Sequence, residues 1–452
     1  MKNRKFFPFR IATGLVVMLA TAPLPAAEKD EYQKLKESLL DLNAYNADHW
    51  IYNDLDAARA EARRTGKPIF VTFRCVPCNA CKIFDAEVAN GSEVIKKLAR
   101  EKFVSLRQVE MKGVDLNQFQ FDHDLNWAAM FINADGAIYA RYGTQSAEGP
   151  DAYNSIESLE KTMQRVLKLH EKYPANRSTI VGKRGKNRSY STALEMPGME
   201  RKEKLRGPTK RDNCIHCHMI HDAENIGAYR DGTFTQDMLW RYPLPDNLGI
   251  EIDPADGLRI KAVAKGSPAD EVGLGAGDEI FSVDGQRIVS IADFQWVLHN
   301  LPNKPVYLKI FARRNQGRER ELTDIRSYTL RTKPGWKQTD ISWRGSMWSV
   351  PPRLRIWMPK LKSEELEKAG LPPTMNAVKA KWINTKEKAG REAKKAGLRQ
   401  NEIVVAVDGK PLPETSQQFS LYVKLNFKPG DDLPLTVWRN GKRVELKIPL
   451  FE

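Results

Sequence analysis

Residues 69–73, IFVTF, are apolar or β-forming at every position, the pattern of a strand buried on both faces. Before them, DLDAARAEARRTG is an alanine-rich helical stretch stopped by Gly66. After them, CKIFDAEVANGSEVIKKLA starts a new helix and EKFVSLRQVEM supplies a second strand. AMFINADGAIYARYG reads as a hairpin turning at Ala134, Asp135 and Gly136. Ile156, Leu159, Met163, Val166 and His170 then fall on one face of a closing helix, and Tyr32, Leu35, Leu39 and Leu42 mark a packing helix ahead of the first strand. The order is strand, cysteine turn, helix, strand, hairpin, helix, an α/β arrangement. Periodicity then stops: residues 173–212 are basic, polar and aperiodic and read as a linker or an extended wrap. From about residue 244 the chain repeats itself, with GLGAGDEIFSVDG at 273–285 aligning without gaps to GLRQNEIVVAVDG at 397–409, which predicts two copies of an α+β module.

The N-terminus changes the compartment. Lys2, Arg4, Lys5 and Arg10 precede an apolar run over 11–22 and a small-residue site at Ala26 or Ala27, the anatomy of a secretory signal. The run is too short, and too broken by Pro23 and Pro25, for a span of about 20 apolar residues. The expectation is an exported chain of the periplasm or cell envelope with no transmembrane segment after cleavage. Losing those four charges takes the formal net charge from +15 to +11. In an exported protein this excess argues against nucleic acid, leaving a solvated basic surface or an anionic envelope surface as its use.

The chain's five cysteines form two clusters, too few for a disulfide scaffold and grouped as sites. FRCVPCNACKIF carries Cys75, Cys78 and Cys81 at a spacing of three, which leaves two overlapping Cys-x-x-Cys pairs, a metal or cluster site, or inert thiols. NCIHCHMIHDAEN carries Cys214, Cys217 and His218, the c-type haem attachment pattern: two thioethers and an adjacent imidazole for the iron. Met196, Met199 and Met238 are candidate distal ligands, with Met238 the best placed; His221 is one turn from His218 and cannot reach the opposite haem face. Cys214, Cys217, His218 and His221 also satisfy tetrahedral zinc ligation, and a plain disulfide stays open.

KPIFVTFRCVPCNACKIFDAEV resembles the exported thioredoxin-like modules, whose pattern runs Lys-Pro, apolar strand, Cys-x-x-Cys-Lys, helix. That resemblance places the redox pair on Cys78 and Cys81, followed by Lys82. It implies Cys78 as the nucleophile at a helix N-terminus, Cys81 as the resolving thiol, and Cys75 as an extra thiol competing for Cys78. Trp127 stands where this fold carries a cis-proline. The two repeats resemble circularly permuted PDZ modules. In the first, NLGIEI fits the carboxylate-binding loop, so Leu248, Gly249 and Ile250 would present N–H groups to a peptide C-terminus, with SIADFQWVLHNL as the other wall. The second has PPRLRIWMP at that place, lacks the glycine, and is expected to serve packing or a dimer contact. Trp336, Trp343, Trp348 and Trp357 are read as its hydrophobic anchor.

The whole resembles the exported thioredoxin/PDZ fusion proteins, some of which carry selenocysteine at the redox position. The implied organisation is a signal peptide at 1–27, a thioredoxin-like domain with its N-terminal helix at 28–172, a basic linker and Cys-x-x-Cys-His segment at 173–243, a first PDZ-like module at 244–333, and a Trp-rich segment with a second module at 334–452. Two functions follow from different classes. One is a thiol–disulfide oxidoreductase whose first PDZ module recruits a client protein. The other is a non-catalytic PDZ-based scaffold.

Overall fold

The computed structural model describes residues 34–44, 47–76, 82–314 and 324–452. The expected signal segment, Cys78 and Cys81 lie outside the described residues.

A five-stranded sheet organises the first domain, with β1 Trp50–Tyr52, β2 Ile69–Arg74, β3 Val104–Gln108, β4 Trp127–Ile132 and β5 Ile138–Tyr142 in the order β1-β3-β2-β4-β5. β1, β3 and β2 are parallel, and the β4–β5 hairpin continues the sheet antiparallel. β2 is buried at every residue, as its unbroken apolar run requires. Helix α1, Leu55–Thr65, begins where the Asp54 side chain accepts the Ala57 N–H at 2.9 Å and ends where Gly66 turns left-handed at φ 69°. A five-residue helix α2, Lys82–Ala86, runs into a wider turn at Glu87–Gly91, and α3, Glu93–Glu101, follows. Helix α4, Ile156–Glu171, closes the domain, its N-cap Ser155 accepting from Ser158 N.

The sheet's two faces have different covers. Phe70, Trp127, Ala129 and Phe131 point into a core shared with Ile95 and Ala99 of α3 and Leu159, Met163 and Val166 of α4. On the other face Ile69, Val71, Phe73 and Met130 meet α1 and also Met196, Met199, Leu205, Ile215, Cys217 and Ile220. The stretch between the modules is therefore a wrap whose apolar side chains complete the first domain's core, ending in helix α5, His218–Arg230. Its aperiodic sequence hid this, because an irregular segment buries single residues at no fixed interval.

The first PDZ-like module pairs β6 Ile250–Ile252 with β7 Ile260–Val263, and orders β8 Glu279–Val283, β9 Gln286–Arg287, β10 Tyr307–Arg313 and β11 Ile325–Arg331 as β11-β10-β8-β9, with helix α6 at Ile291–Asn300. The second repeats the plan. β12 Ile356–Trp357 pairs with β14 Trp382–Ile383, and β13 Val378–Lys379, β15 Ile403–Val407, β17 Asp432–Arg439 and β18 Lys442–Pro449 form a sheet, with β16 Lys410–Pro411 on β15 and helix α7 at Ser416–Asn426. Each module has its own apolar core. The tryptophans divide: Trp336 joins the first module's core and Trp343 packs on the first domain, whereas Trp348 and Trp357 are 70% and 55% exposed. No helix among the described residues is long and apolar enough to cross a membrane.

Buried ion pairs fasten these parts. Lys183 of the wrap meets Asp293 of α6 with both side chains fully buried. Arg344, from the Trp-rich segment, reaches Asp122 at 2.7 Å and Asp124 at 3.2 Å. His221 of α5 holds Asp124 at 3.0 Å.

Candidate thiol site and peptide grooves

Cys75 follows β2 directly, and the residues around the cysteine turn are charged and buried. Arg107 on β3 is fully buried, with its guanidinium 2.8 Å from both Asp41 and Asp85. Arg74, next to Cys75, reaches Asp85 at 3.3 Å. Asn43 donates to Asp85 at 2.7 Å, and so does the Trp127 indole at 3.2 Å. Burial alone would raise the Asp85 carboxyl, but Arg107, Arg74 and Asn43 outweigh it and hold it below the usual carboxylate range. Trp127 thus supplies a buried donor, and its residue pairs in register with Arg74 on β2. The described cis peptide bonds, Tyr173-Pro174 and Pro351-Pro352, lie elsewhere.

The second cysteine motif docks against the first. Cys75 Sγ lies 2.8 Å from His216 Nδ1. The Met111 N–H donates to Ile215 O at 3.2 Å, fixing the segment beside the end of β3. Cys214 and Cys217 are thiols, and both are buried. Burial pushes the Cys214 thiol up to about 12, with Glu110 and then Cys75 adding to the shift. Cys217 is raised further by burial, and Cys75 acts on it more strongly than Cys214 does. Burial, together with His218, lowers the pKa of His216 and keeps its ring neutral near pH 7.

Beside this junction opens a cavity of about 650 Å³, bordered by Cys214, His216, His218, Met199 and Met219, with Arg201, Lys204, Arg353 and Arg355 also on its wall. His218 begins α5 and pairs with Asp222 at 3.1 Å; burial disfavours its charge, but Asp222 outweighs that and raises its pKa. Cys217 is absent from the cavity wall and belongs to the core of the first domain. A haem tethered by two thioethers needs both sulfurs at one porphyrin edge. Here only Cys214 and His218 of that set share the cavity, so the three residues as placed do not fit a doubly tethered haem. Met238 is likewise off this wall, where Met199 and Met219 take the thioether positions. The zinc set is not assembled either. His221 turns to Asp124, and among the described residues only Asp122, Asp124 and His221 bring three such ligand atoms within 4.8 Å of one another. Those carboxylates are filled from within: Arg344 donates to both, and the Ser346 N–H and hydroxyl each donate to Asp124 at 2.8 Å.

The loop predicted to bind a peptide, Leu248, Gly249 and Ile250, is packed against the first domain. Leu248 and Ile250 are fully buried. Gly249 adopts φ 82°, and its N–H is spent on Asp246 O at 2.8 Å instead of facing a ligand. Tyr153, from the loop before α4, packs on this module's core, and its hydroxyl donates to Asp246 at 3.2 Å. A cavity of about 10 Å³ lies nearby, where Tyr153, Asn154 and Gly143 meet Ile291 and Ala292 at the start of α6. In the second module the same strand-and-helix cleft is open. A cavity of about 430 Å³ runs between Ile356, Trp357 and Met358 on one side and Ser416, Phe419, Ser420 and Val423 on the other. Trp348, Trp382, Arg353 and Arg355 also border it.

Arg74, Asp85, Arg107 and His216 were missed in the sequence. Asp85, four residues past Cys81 in sequence, and Arg74, adjoining Cys75, gave a local signal; His216 gave none, since its partner is 141 residues away.

Comparison with known proteins supports the thioredoxin-like domain and the first PDZ-like module. Residues 50–134 match the thioredoxin-like family model, and residues 259–310 match the PDZ domain model. No curated protein matches the chain. Among solved structures, the HtrA-type protease AlgW with a decapeptide aligns at 14% identity and TM-score 0.19, covering 32% of this chain and 49% of that one. An AlgW variant with decapeptide aligns at 16% identity and TM-score 0.21, covering 32% and 48%. This chain thus spans about half the length of those proteases. It contains a thioredoxin-like domain and a PDZ domain, which together suggest a redox or binding role.

Proposed function

We propose that the protein is an exported thiol–disulfide redox protein that recruits a client polypeptide through its PDZ-like part. The observation that carries this is the 2.8 Å approach of Cys75 Sγ to His216 Nδ1, which makes one thiol centre out of two cysteine motifs far apart in the chain. A histidine against a thiol can act as the base that takes its proton, and thiolate is the attacking species in disulfide exchange. Cys78 and Cys81 supply the redox pair of the thioredoxin-like pattern. Client recruitment falls to the second module, whose cleft is open and has Arg353 and Arg355 on its wall to meet a carboxylate. Export rests on the N-terminal pattern of charge, apolar run and small-residue site.

Turnover of a protein disulfide by the full mature chain, with a dithiol as electron donor, tests the reading. Cys78→Ser and Cys81→Ser should each abolish turnover. A wild-type chain with no turnover, and with thiols inert to small-molecule disulfides, would leave the scaffold reading standing. One feature favours that scaffold: Trp127, at the proline position, is buried and pairs with Arg74, so this edge is not offered to a substrate backbone. A denaturing gel stained for haem separates both readings from a covalent haem at Cys214 and Cys217, which would require Cys217 to leave the core.

A further inference from the structure

We infer that the cavity between helix α4 and the first PDZ-like module binds the phosphate ester of a small polyol, met either as a soluble molecule or as a lipid headgroup. The site is separate from the thiol centre and does not depend on its chemistry.

The cavity holds about 780 Å³, within the usual size of a small-molecule site. Its wall carries seven lysines and arginines against three acidic residues. The acids are already engaged. Asp256 holds Arg165 at 3.0 Å and Lys161 at 3.2 Å, and Glu279 holds Arg313 at 3.1 Å. Asp253 accepts the Ala255 N–H at 2.9 Å. Among the described residues Lys168, Lys172, Arg259 and Arg287 have no ion-pair partner. The helix dipole accounts for two of them, Lys168 and Lys172 at the C-terminal end of α4; Arg259 and Arg287 belong to the facing module.

Arg287 is set up as an anion receptor. Its guanidinium carbon lies 3.7 Å from the centre of the Phe281 ring, and one N–H goes to Phe281 O at 3.4 Å. Among the described residues the rest of its five donors are unspent, and the stacking holds the fork in place. Burial brings its pKa from 12.5 down to about 10; Glu279 opposes that shift, and Arg165 and Arg313 deepen it. A cation so placed gains from an oxyanion that its neighbours do not supply, and a fixed guanidinium fork matches the paired oxygens of a phosphate.

Two buried polar atoms on residues of the same wall lack a partner, and they are of opposite kind. Arg313 Nε is a donor and Asn176 Oδ1 an acceptor, while the Asn176 amide nitrogen donates to Leu169 O at 2.8 Å. A bare oxyanion such as sulfate answers the cations and offers Asn176 Oδ1 nothing; a hydroxyl donates to it. The wall therefore suits a ligand with both anionic oxygens and at least one O–H group. Gln164, Thr179 and Ser282 supply further partners for hydroxyls.

The test titrates the full mature chain by calorimetry with glycerol 3-phosphate and with sulfate, and by sedimentation with vesicles of phosphatidylglycerol or of phosphatidylcholine alone. Glycerol 3-phosphate should saturate one site per chain and bind more tightly than sulfate. Arg287→Gln should weaken it by at least about tenfold, the size of one hydrogen bond to a charged group. Lys168→Gln with Lys172→Gln, both on exposed side chains, should also weaken it where Arg287→Gln disturbs folding, whereas Lys442→Gln with Lys447→Gln on the second module should not. Asn176→Ala should erase the preference over sulfate. Binding to phosphatidylglycerol vesicles alone, lost with the same substitutions, supports the site with a lipid headgroup as its source. No saturable binding in any arm, binding that survives both cavity variants, or binding weakened equally by the Lys442 and Lys447 pair overturns the site. A preference unchanged by Asn176→Ala overturns the polyol assignment.

Discussion

The PDZ-like module and the repeat that follows it share a plan and differ in what covers them. In the first, helix α6 is buried on both sides. Asp293 accepts the Arg141 N–H at 3.0 Å, Gln295 meets Thr144 at 2.8 Å, and the Trp296 indole donates to Gly182 O at 3.0 Å, all from the thioredoxin-like domain or the wrap. Tyr153 packs on its core and donates to Asp246. In the second, helix α7 keeps Ser416, Ser420 and Val423 on an open cleft and is anchored from beneath by Lys424, whose ammonium donates to Val350 O and Pro352 O. The module with the recognisable glycine loop is docked through its helix, and the repeat without that loop has an open cleft. A binding motif establishes what a loop can do; the neighbours decide whether it is free to do it.

The comparison breaks most sharply at α6. Asp293→Asn leaves Lys183 fully buried without its counter-charge, and removing one member of a buried pair costs about 3–5 kcal/mol. Denaturant unfolding of the full chain should show that loss, with the first module and the thioredoxin-like domain separating into two transitions. Combining Lys183→Met with Asp293→Leu should recover part of it. If Asp293→Asn unfolds like the parent, the first module is not held by this pair.

A smaller effect concerns ligand stoichiometry. A peptide ending in a free carboxylate, followed by tryptophan fluorescence or calorimetry, should bind the intact chain once, at the second module. Ser420→Trp fills that cleft and should weaken binding at least tenfold, about 1.4 kcal/mol. Tyr153→Ala should uncover the first cleft and raise the stoichiometry from one to two. Binding that survives Ser420→Trp and vanishes when Gly249 is replaced would return recognition to the first module.

Local elements were legible because local rules set them. The run at 69–73 became β2, the turn at Ala134–Gly136 falls between β4 and β5, and Ile156 to His170 became one helix. The gapless repeat at 273–285 and 397–409 falls on β8 and β15, matching strands of matching modules. What stayed hidden joins distant positions through irregular chain. Nothing in residues 213–218 says that His216 would face Cys75, or that Cys214 would border a cavity while Cys217 joined the core. Nothing in SIADFQWVLHNL says that its polar Asp293 and Gln295 would be buried by another domain. The helix reads as one groove wall because its partners lie more than a hundred residues upstream.

The subtlest difference between the modules is pH dependence. Lys183 faces a carboxylate, but Lys424 faces only carbonyls, and burial brings its pKa from 10.5 down to about 7, with Arg353 and Arg355 adding to the shift. The folded state therefore releases this proton near pH 7, whereas the unfolded chain keeps it to about 10.4. Between those values the unfolded state binds more protons, so the second module gains stability as pH rises, by at most about 1.4 kcal/mol per pH unit. Below about pH 7 both states are protonated, the slope vanishes, and the module bears the full cost of the buried charge. Lys424→Met should remove the slope and stabilise the module most at low pH, provided the methionine leaves the two carbonyls access to water. Unfolding midpoints from pH 6 to 10 for parent and variant decide it: parallel curves would mean that Lys424 titrates normally and that α7 is anchored by packing alone.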